Sequence, residues 1–543
     1  MGTDPSPKSA SQISILPQGE GTKTLLIIVA AITLVRVAVL IFSPLQLYPD
    51  EAQYWWWAQT PDWGYFSKPP MIAWVIWQST TLFGNSEWAI RIASPLLHGA
   101  TALLVFGIAR LAFNGRTDNA RIGFWSALAY LTTPGVSYSS GLISTDVPLL
   151  FFWALALYAF LRAIEEPGWR WTIWCGVAVG LGFETKYAMA YFILGAAIAA
   201  WLAPEARKLV LSRRGLAILG IGLALLLPNI AWNAAHGFPT VAHTGHNADW
   251  SHARYNPLNI LAFLGGQFGV FGPILMAGLL LGLAQIVIPG ERDSARPGAH
   301  PENVSMGPGS READASLGRD DRGGGSRVLA SFSVPILLLI MAQSFIAEAN
   351  ANWAAVAYVT ATPLAVAALL RLWRGRALWA SFAVNGLALL LLWTIQIDPA
   401  FADRIGQGNA FKRQEGWREL GRAVAQQEMS APYDVVAAAN RSIMAELLYY
   451  ALPRTTAMRM WDRDLHDDDH FQMTMRLMRP ARRVLLVILP DERRAVLPTF
   501  DSTTLVEIVT FHIGARRARE IELYDARSYR GPQLAAPRTG VSP

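Results

Sequence analysis

Several stretches of this sequence set ionisable side chains directly against apolar blocks, and their types suit acid–base and phosphate chemistry. Asp50-Glu51 follow the first apolar block and precede Tyr54-Trp55-Trp56-Trp57. A carboxylate placed there can take a proton from an acceptor hydroxyl, and an aromatic wall that excludes water raises a carboxylate's pKa. The same residues also read as an interfacial loop with an aromatic belt. Lys68 stands before Pro69-Pro70, a point charge suited to phosphate on a turn that holds it away from the next helix; the other reading is a lysine that snorkels to the interface. Asp146 heads an apolar segment with Pro148 in its first turn, the pattern of a helix cap that can also face substrate. Glu184 and Lys186 lie close enough in sequence to pair with each other.

Two further clusters invite a metal reading. His236, His243, His246 and His252, with Arg254, follow one apolar block, but their spacing matches no strict ligand pattern. The run Trp461-Asp-Arg-Asp-Leu-His-Asp-Asp-Asp-His470 is expected as a solvated loop. Gly176, Gly180 and Gly182 fall inside an apolar segment, where small residues serve helix packing rather than dinucleotide binding.

These groups must be positioned by membrane segments. Hydrophobic residues make up 52% of the 543 and charged residues only 16%, below the quarter or so usual for soluble domains. The apolar residues fall in blocks long enough for a bilayer core of about 30 Å, and the 21 Trp suit its interfaces. About eleven spans are expected, near 24–42, 88–110, 122–138, 147–163, 171–183, 188–202, 215–233, 258–288, 328–346, 354–370 and 377–396, with 71–84 as a short helix lying in the interface. About twenty polar residues precede the first block with no cleavage site after it, so the first helix is read as uncleaved. The single cysteine, Cys175, forms no internal disulfide and carries no redox message.

Orientation follows from the basic residues. Arginines and lysines crowd alternate loops, from Arg110 to Arg121, at Arg162 and Arg170, at Arg207 to Arg214, from Arg292 to Arg327, and from Arg371 to Arg376. The opposite loops hold Lys68, Lys186 and Arg254. With the basic loops in the cytoplasm, every candidate group above lies on the extracytoplasmic side. The net charge of +6 is therefore a membrane-orientation signal, and no nucleic-acid partner is expected. Residues 1–23 read as a cytoplasmic tail, 24–396 as the membrane domain, 290–327 as a disordered cytoplasmic loop, and 397–543 as a periplasmic soluble domain. In the last, 434–439, 483–489, 504–511 and 520–524 read as strands and 442–452 as a helix. The fold class is an all-α polytopic membrane protein with a small C-terminal α/β domain.

The order of short motifs resembles a known superfamily. Tyr48-Pro-Asp50-Glu51-Ala-Gln-Tyr54, Gly64-Tyr65-Phe-Ser-Lys68-Pro69-Pro70, Ser144-Thr145-Asp146, Gly182-Phe-Glu-Thr-Lys186, Pro228-Asn-Ile-Ala-Trp232-Asn233-Ala-Ala-His236-Gly and Ala351-Asn352-Trp353 are similar to the bacterial protein O-mannosyltransferase and aminoarabinose-transferase superfamily over about residues 24–400. The resemblance implies a GT-C fold and an inverting transfer of a sugar from a polyprenyl-phosphate donor to a lipid, glycan or protein acceptor outside the cytoplasm, with no nucleotide at the site. It implies Asp50 as the base or acceptor-orienting group. The substrate-binding set is Glu51, Tyr65, Lys68, Asp146, Lys186, His243 and Arg254, with Lys68 on the donor phosphate, where a cation stabilises charge as the leaving group departs. Some aminoarabinose transferases carry an acidic residue just before the lysine, where this chain has Ser67; that weakens a carried-over metal site. The residues require no cofactor, and a divalent metal is left open. The alternative is a transporter or flippase of a lipid-linked sugar, which would place charges at both faces rather than one.

Overall fold

The computed structural model describes residues 18–249, 255–287, 324–453, 456–512 and 518–532. Six described helices are long and apolar enough to cross a membrane alone: Gly21–Phe42, Glu87–Ala112, Asp146–Glu165, Arg213–Ala235, Gly324–Ile346 and Arg376–Ile397. The expected span over 258–288 is instead two helices, Pro257–Phe271 and Pro273–Val287, bent by 105°. The break has a local cause. Gly272 sits at φ 92°, and Pro273 cannot donate the helical hydrogen bond that would continue the first helix. The expected spans near 122–138, 171–183, 188–202 and 354–370 rest on helices of only 13 to 15 residues. That is short of the ~20 residues a perpendicular crossing needs, so length and composition support six spans, or seven with the bent pair.

The first helix starts before residue 24, at Gln18. Most of the expected 290–327 loop lies outside the described residues; its last positions open the helix Gly324–Ser331. The short segment after Lys68 is a helix, Met71–Phe83, that buries Met71, Ile72, Ala73 and Ile76 and exposes Trp77, Leu82 and Phe83.

The C-terminal domain is an α/β unit around one sheet of order β2-β1-β3-β5-β4. Strands β1 (Val435–Ala438), β2 (Ala457–Met460) and β3 (Arg483–Ile488) are parallel; β4 (Phe500–His512) and β5 (Ala518–Tyr529) add an antiparallel hairpin. The expected strands are all present. β2 is an additional strand, because its four residues, Ala-Met-Arg-Met, carry no β-branched or aromatic signal. The helix Arg441–Tyr450, expected over 442–452, is capped by Asn440, whose side chain accepts from Ser442 N at 2.9 Å.

One core unites this domain with the segment that follows the first helix. Leu47, Trp57, Ile72 and Ile90 of the loop region pack in a single buried cluster with Leu420, Ile443, Leu447 and Phe471 of the C-terminal domain. Polar contacts reinforce it. Gln46 Oε1 accepts from Trp417 N at 2.6 Å and Arg418 N at 3.0 Å, and Tyr450 Oη accepts from Leu47 N at 2.7 Å. Arg418 pairs with Glu87 at 2.5 Å. Trp55 stacks edge-on against Tyr449 at 4.8 Å. The acidic run 461–470 takes part, which corrects its reading as a wholly solvated loop. Asp462 is buried and pairs with Arg476 at 2.7 Å. Asp469 caps the helix His470–Met475, and His470 packs against Trp57 at 5.3 Å.

Candidate active site

The helix Pro49–Ala58 carries the acidic pair. Proline at its first position is preset for helical φ, and carboxylates in the first turn complement the helix dipole. The two acids do different work. Glu51 is 1% exposed and forms a two-point pair with Arg91, Nη2 to Oε2 at 2.7 Å and Nε to Oε1 at 3.0 Å. It also accepts from Tyr48 N at 2.9 Å and Ile143 N at 2.8 Å. Both of its oxygens are engaged within the protein, so at the cavity wall Glu51 holds the backbone and Arg91 in place. It ties the acidic helix to the helix Glu87–Arg91 and to the strand of loop before Asp146.

Asp50, one residue earlier, points the other way. Its Oδ1 accepts from Arg441 Nη1 at 2.9 Å, and among the described residues Oδ2 accepts no hydrogen bond. Arg441 also donates to Gln53 Oε1 at 2.5 Å. Asp50 lines a cavity of about 440 Å³ with Tyr48, Tyr54, Asp146, Asn352 and Tyr358, closed on its apolar side by Val136, Leu150, Val270 and Phe271. Burial, and then the Asp50 charge, keep the Tyr54 hydroxyl well above the ordinary tyrosine range.

Asp146, the first residue of Asp146–Glu165, is more than a cap. Its Oδ1 takes Lys186 Nζ at 2.7 Å and its Oδ2 takes Asn352 Nδ2 at 2.6 Å. Lys186 thus pairs with Asp146 and not with Glu184, whose carboxylate oxygens are buried and have no partner among the described residues. The Glu184 main chain serves instead: its carbonyl accepts from Met71 N at 2.9 Å. This bond joins the Lys68-Pro-Pro turn to the Glu184-Thr-Lys186 turn and brings the two lysines to one place. Lys68 is half-buried and, among the described residues, forms no ion pair. Its pKa is lowered, first by burial and then by Lys186, with Asp50 and Asp146 opposing. His243 stands in the same field. Burial, then Lys68 and Arg441, push its pKa down to about 4, so the imidazole is neutral at pH 7.

Tyr65 does not line the cavity. It is buried and stacked on Trp57 at 4.5 Å, its hydroxyl donating to Trp57 O at 3.1 Å and accepting from Asp62 N at 3.0 Å. In this arrangement its ring and hydroxyl hold the loop. The motif Pro228-Asn-Ile-Ala-Trp232-Asn233 clamps that same loop. Trp232 Nε1 donates to Asp62 Oδ2 at 2.8 Å and Asn229 Nδ2 to Trp63 O at 2.8 Å. Gly64 is required there, because a Cβ would stand 2.4 Å from the Trp232 ring. Arg254 lies outside the described residues. Among the described residues no group of three or more His, Cys, Asp or Glu is arranged to hold a metal ion.

Asp50, Asp146, Tyr48 and Tyr54 line the cavity, Lys186 and Arg441 are tied to its two aspartates, and Lys68 and His243 stand in their electrostatic field without lining it. Tyr48 and Tyr54 flank the acidic pair and were legible as part of its motif. Arg441 was not, since an arginine at the start of a soluble-domain helix is an ordinary surface residue by sequence.

Among the described residues, apolar helices long enough to cross a membrane carry a cluster of paired acids and bases beside a cavity, the setting of a multi-pass membrane enzyme. Residues 67–232 match the family model described as dolichyl-phosphate-mannose-protein mannosyltransferase. The chain is 37% identical over 427 residues to the lipid A galacturonosyltransferase RgtD of Rhizobium johnstonii, covering 78% of this chain and 82% of that one. It is 30% identical over 178 residues to an undecaprenyl phosphate-alpha-4-amino-4-deoxy-L-arabinose arabinosyl transferase of Pseudomonas fluorescens, covering 32% of this chain and 31% of that one. The fold is that of ArnT from Cupriavidus metallidurans bound to undecaprenyl phosphate, with TM-score 0.59 at 17% identity over 94% of this chain and 99% of that one. The chain belongs to the GT-C glycosyltransferase superfamily. Membership in a superfamily of transferases removes the transporter alternative.

Proposed function

We propose that this enzyme transfers a uronic acid of the galacturonic type from a polyprenyl phosphate to a lipid A or lipopolysaccharide-core hydroxyl, at the periplasmic face of the inner membrane. The likeness to a galacturonosyltransferase supports the sugar, and the charge at the site supports the phosphate-borne donor. Three cations, Lys68, Lys186 and Arg441, face two carboxylates, Asp50 and Asp146, with His243 neutral. A surplus of positive charge suits the anionic phosphate of a polyprenyl-phosphate donor, and the choice of sugar is supported by the likeness to a lipid A galacturonosyltransferase over 78% of this chain. The one-sided array of basic loops supports the periplasmic placement.

The chemistry follows from the positions. The acceptor hydroxyl attacks the sugar's C1 while the bond from C1 to the phosphate oxygen breaks, and the acceptor proton passes to Asp50 Oδ2. The leaving polyprenyl phosphate gains charge as that bond lengthens, and Lys68, a half-buried cation with no carboxylate partner among the described residues, is placed to meet it. Asp146, itself held by Asn352, fixes Lys186 beside it. The apolar wall at Val136, Leu150, Val270 and Phe271 excludes water from the reacting centre. Glu51 and Arg91 hold the acidic helix in register.

Mass spectrometry of lipid A and core oligosaccharide from cells with and without the gene tests the reading. The expected result is loss of one hexuronic acid residue from the lipid fraction. Unchanged lipid A and core, with a sugar missing from protein or exopolysaccharide instead, would overturn the acceptor; loss of a neutral or amino sugar would overturn the donor.

A further inference from the structure

Arg441 is supplied by the C-terminal domain to a site otherwise built from membrane-domain loops. Its helix is fixed there by burial of Ile443, Met444 and Leu447 and by the Asn440 cap. The guanidinium uses one nitrogen, Nη1, for both Asp50 and Gln53. Among the described residues, Nε and Nη2 make no hydrogen bond, the Asp469 carboxylate standing in the same field, and the side chain is 39% exposed. This leaves a free two-nitrogen edge beside the group proposed as the base. Such an edge matches a carboxylate in two parallel hydrogen bonds, a geometry that lysine cannot reproduce.

We propose that Arg441 is the residue that reads the sugar, its Nε–Nη2 edge gripping the carboxylate of a donor uronic acid. This rests on the uronic-acid reading above. It divides the cations by chemistry: Lys68, a point charge at a rigid turn, takes the lipid phosphate, Lys186 is held by Asp146, and Arg441 takes the planar carboxylate. It also gives the C-terminal domain a function, since the domain's tight seating on the first outer loop is what places this edge. A donor whose sugar carries an ammonium group, such as an amino-arabinose, would meet repulsion at the same point. A neutral hexose would leave the edge without a charged partner, and a site built to bond a group discriminates strongly against an analogue that lacks it.

The test uses purified full-length enzyme in detergent with three polyprenyl-phosphate donors, carrying galacturonic acid, galactose and 4-amino-arabinose, and an acceptor lipid A. Wild type is expected to prefer the galacturonosyl donor. Arg441→Gln should lower kcat/KM for that donor by about 100-fold, the scale of charged hydrogen bonds. The loss should sit mostly in KM, and the preference over galactose should shrink by a similar factor. Arg441→Lys should recover part of the rate and little of the preference. Melting temperature and binding of undecaprenyl phosphate without sugar, both near wild type, would show that the variants are folded. If Arg441→Gln lowered turnover of the galacturonosyl and galactosyl donors by one common factor, Arg441 would act only by orienting Asp50, and the proposal would fall. A wild type that uses galactose or amino-arabinose and not galacturonic acid would overturn the uronic-acid reading and this proposal with it, an outcome distinct from the first.

Discussion

Asp50 and Glu51 are neighbours of the same charge, yet their surroundings predict opposite phenotypes. Consider Glu51→Gln. Glu51 Oε1 receives Arg91 Nε and Ile143 N, and Oε2 receives Arg91 Nη2 and Tyr48 N, all at 2.7 to 3.0 Å. An amide keeps only one acceptor oxygen, so one of these donor pairs must face another donor. Arg91, 2% exposed, then keeps Leu45 O at 3.0 Å and Gln46 O at 2.7 Å but loses its counter-charge. Removing one partner of a buried pair costs about 3–5 kcal/mol, against about 5–15 kcal/mol of stability for a typical domain. Asp50→Asn breaks only a half-exposed pair, side chains 43% and 39% exposed, with a cost of about 0–1 kcal/mol. The assay is size-exclusion chromatography of a fluorescent fusion in detergent after graded heating, paired with sugar transfer. Glu51→Gln should drop the apparent melting temperature by many degrees and reduce membrane yield, with activity lost in proportion. Glu51→Met with Arg91→Met, which removes both charges, should recover much of that stability. Asp50→Asn should melt like wild type and transfer nothing. A Glu51→Gln enzyme as stable as wild type but inactive would refute the division of labour and return Glu51 to the chemistry.

Lys68→Ala should weaken the donor and slow its transfer, by roughly 10- to 100-fold in kcat/KM for loss of one charge-assisted contact, while Lys68→Arg restores part; transfer at varied donor concentration checks it, and wild-type kinetics in Lys68→Ala would make the lysine an interface anchor. Because burial and Lys186 lower the Lys68 pKa, its charge is lost at lower pH than an ordinary lysine's. The basic limb of the rate profile should therefore move to higher pH in Lys68→Arg. Glu446, buried in the C-terminal domain with no hydrogen-bond partner for either oxygen among the described residues, has its pKa raised well above the ordinary range, first by burial and then by Glu51. A raised carboxyl binds its proton more tightly folded than unfolded, so stability falls as pH climbs above the unfolded value near 4.5. Glu446→Gln should melt higher than wild type at neutral and basic pH and lose that advantage in acid; a constant difference at every pH would contradict it.

The chain alone determined the class. Long apolar blocks can be satisfied only in a bilayer or a very large core, and basic residues crowded into alternate loops lead one to expect Asp50, Lys68, Asp146 and Lys186 on a single side. The strands of the C-terminal domain were equally legible wherever β-branched and apolar residues repeat, and β2 was not, because Ala-Met-Arg-Met is held as a strand by its parallel neighbour rather than by its own preference. Tertiary structure decided which charges are spent. Sequence cannot say that Glu51 meets Arg91 forty positions on, that Lys186 turns from Glu184 to Asp146, or that Tyr65 lies flat on Trp57. Each outcome depends on which partner lies within about 3 Å once the helices pack, and at that range one ion pair settles whether a carboxylate is free for chemistry. Arg441 is the clearest case. It is nearly four hundred residues from Asp50, beyond every span that follows Asp50, and the common core of Leu47, Trp57, Ile443 and Leu447 brings its guanidinium to the base.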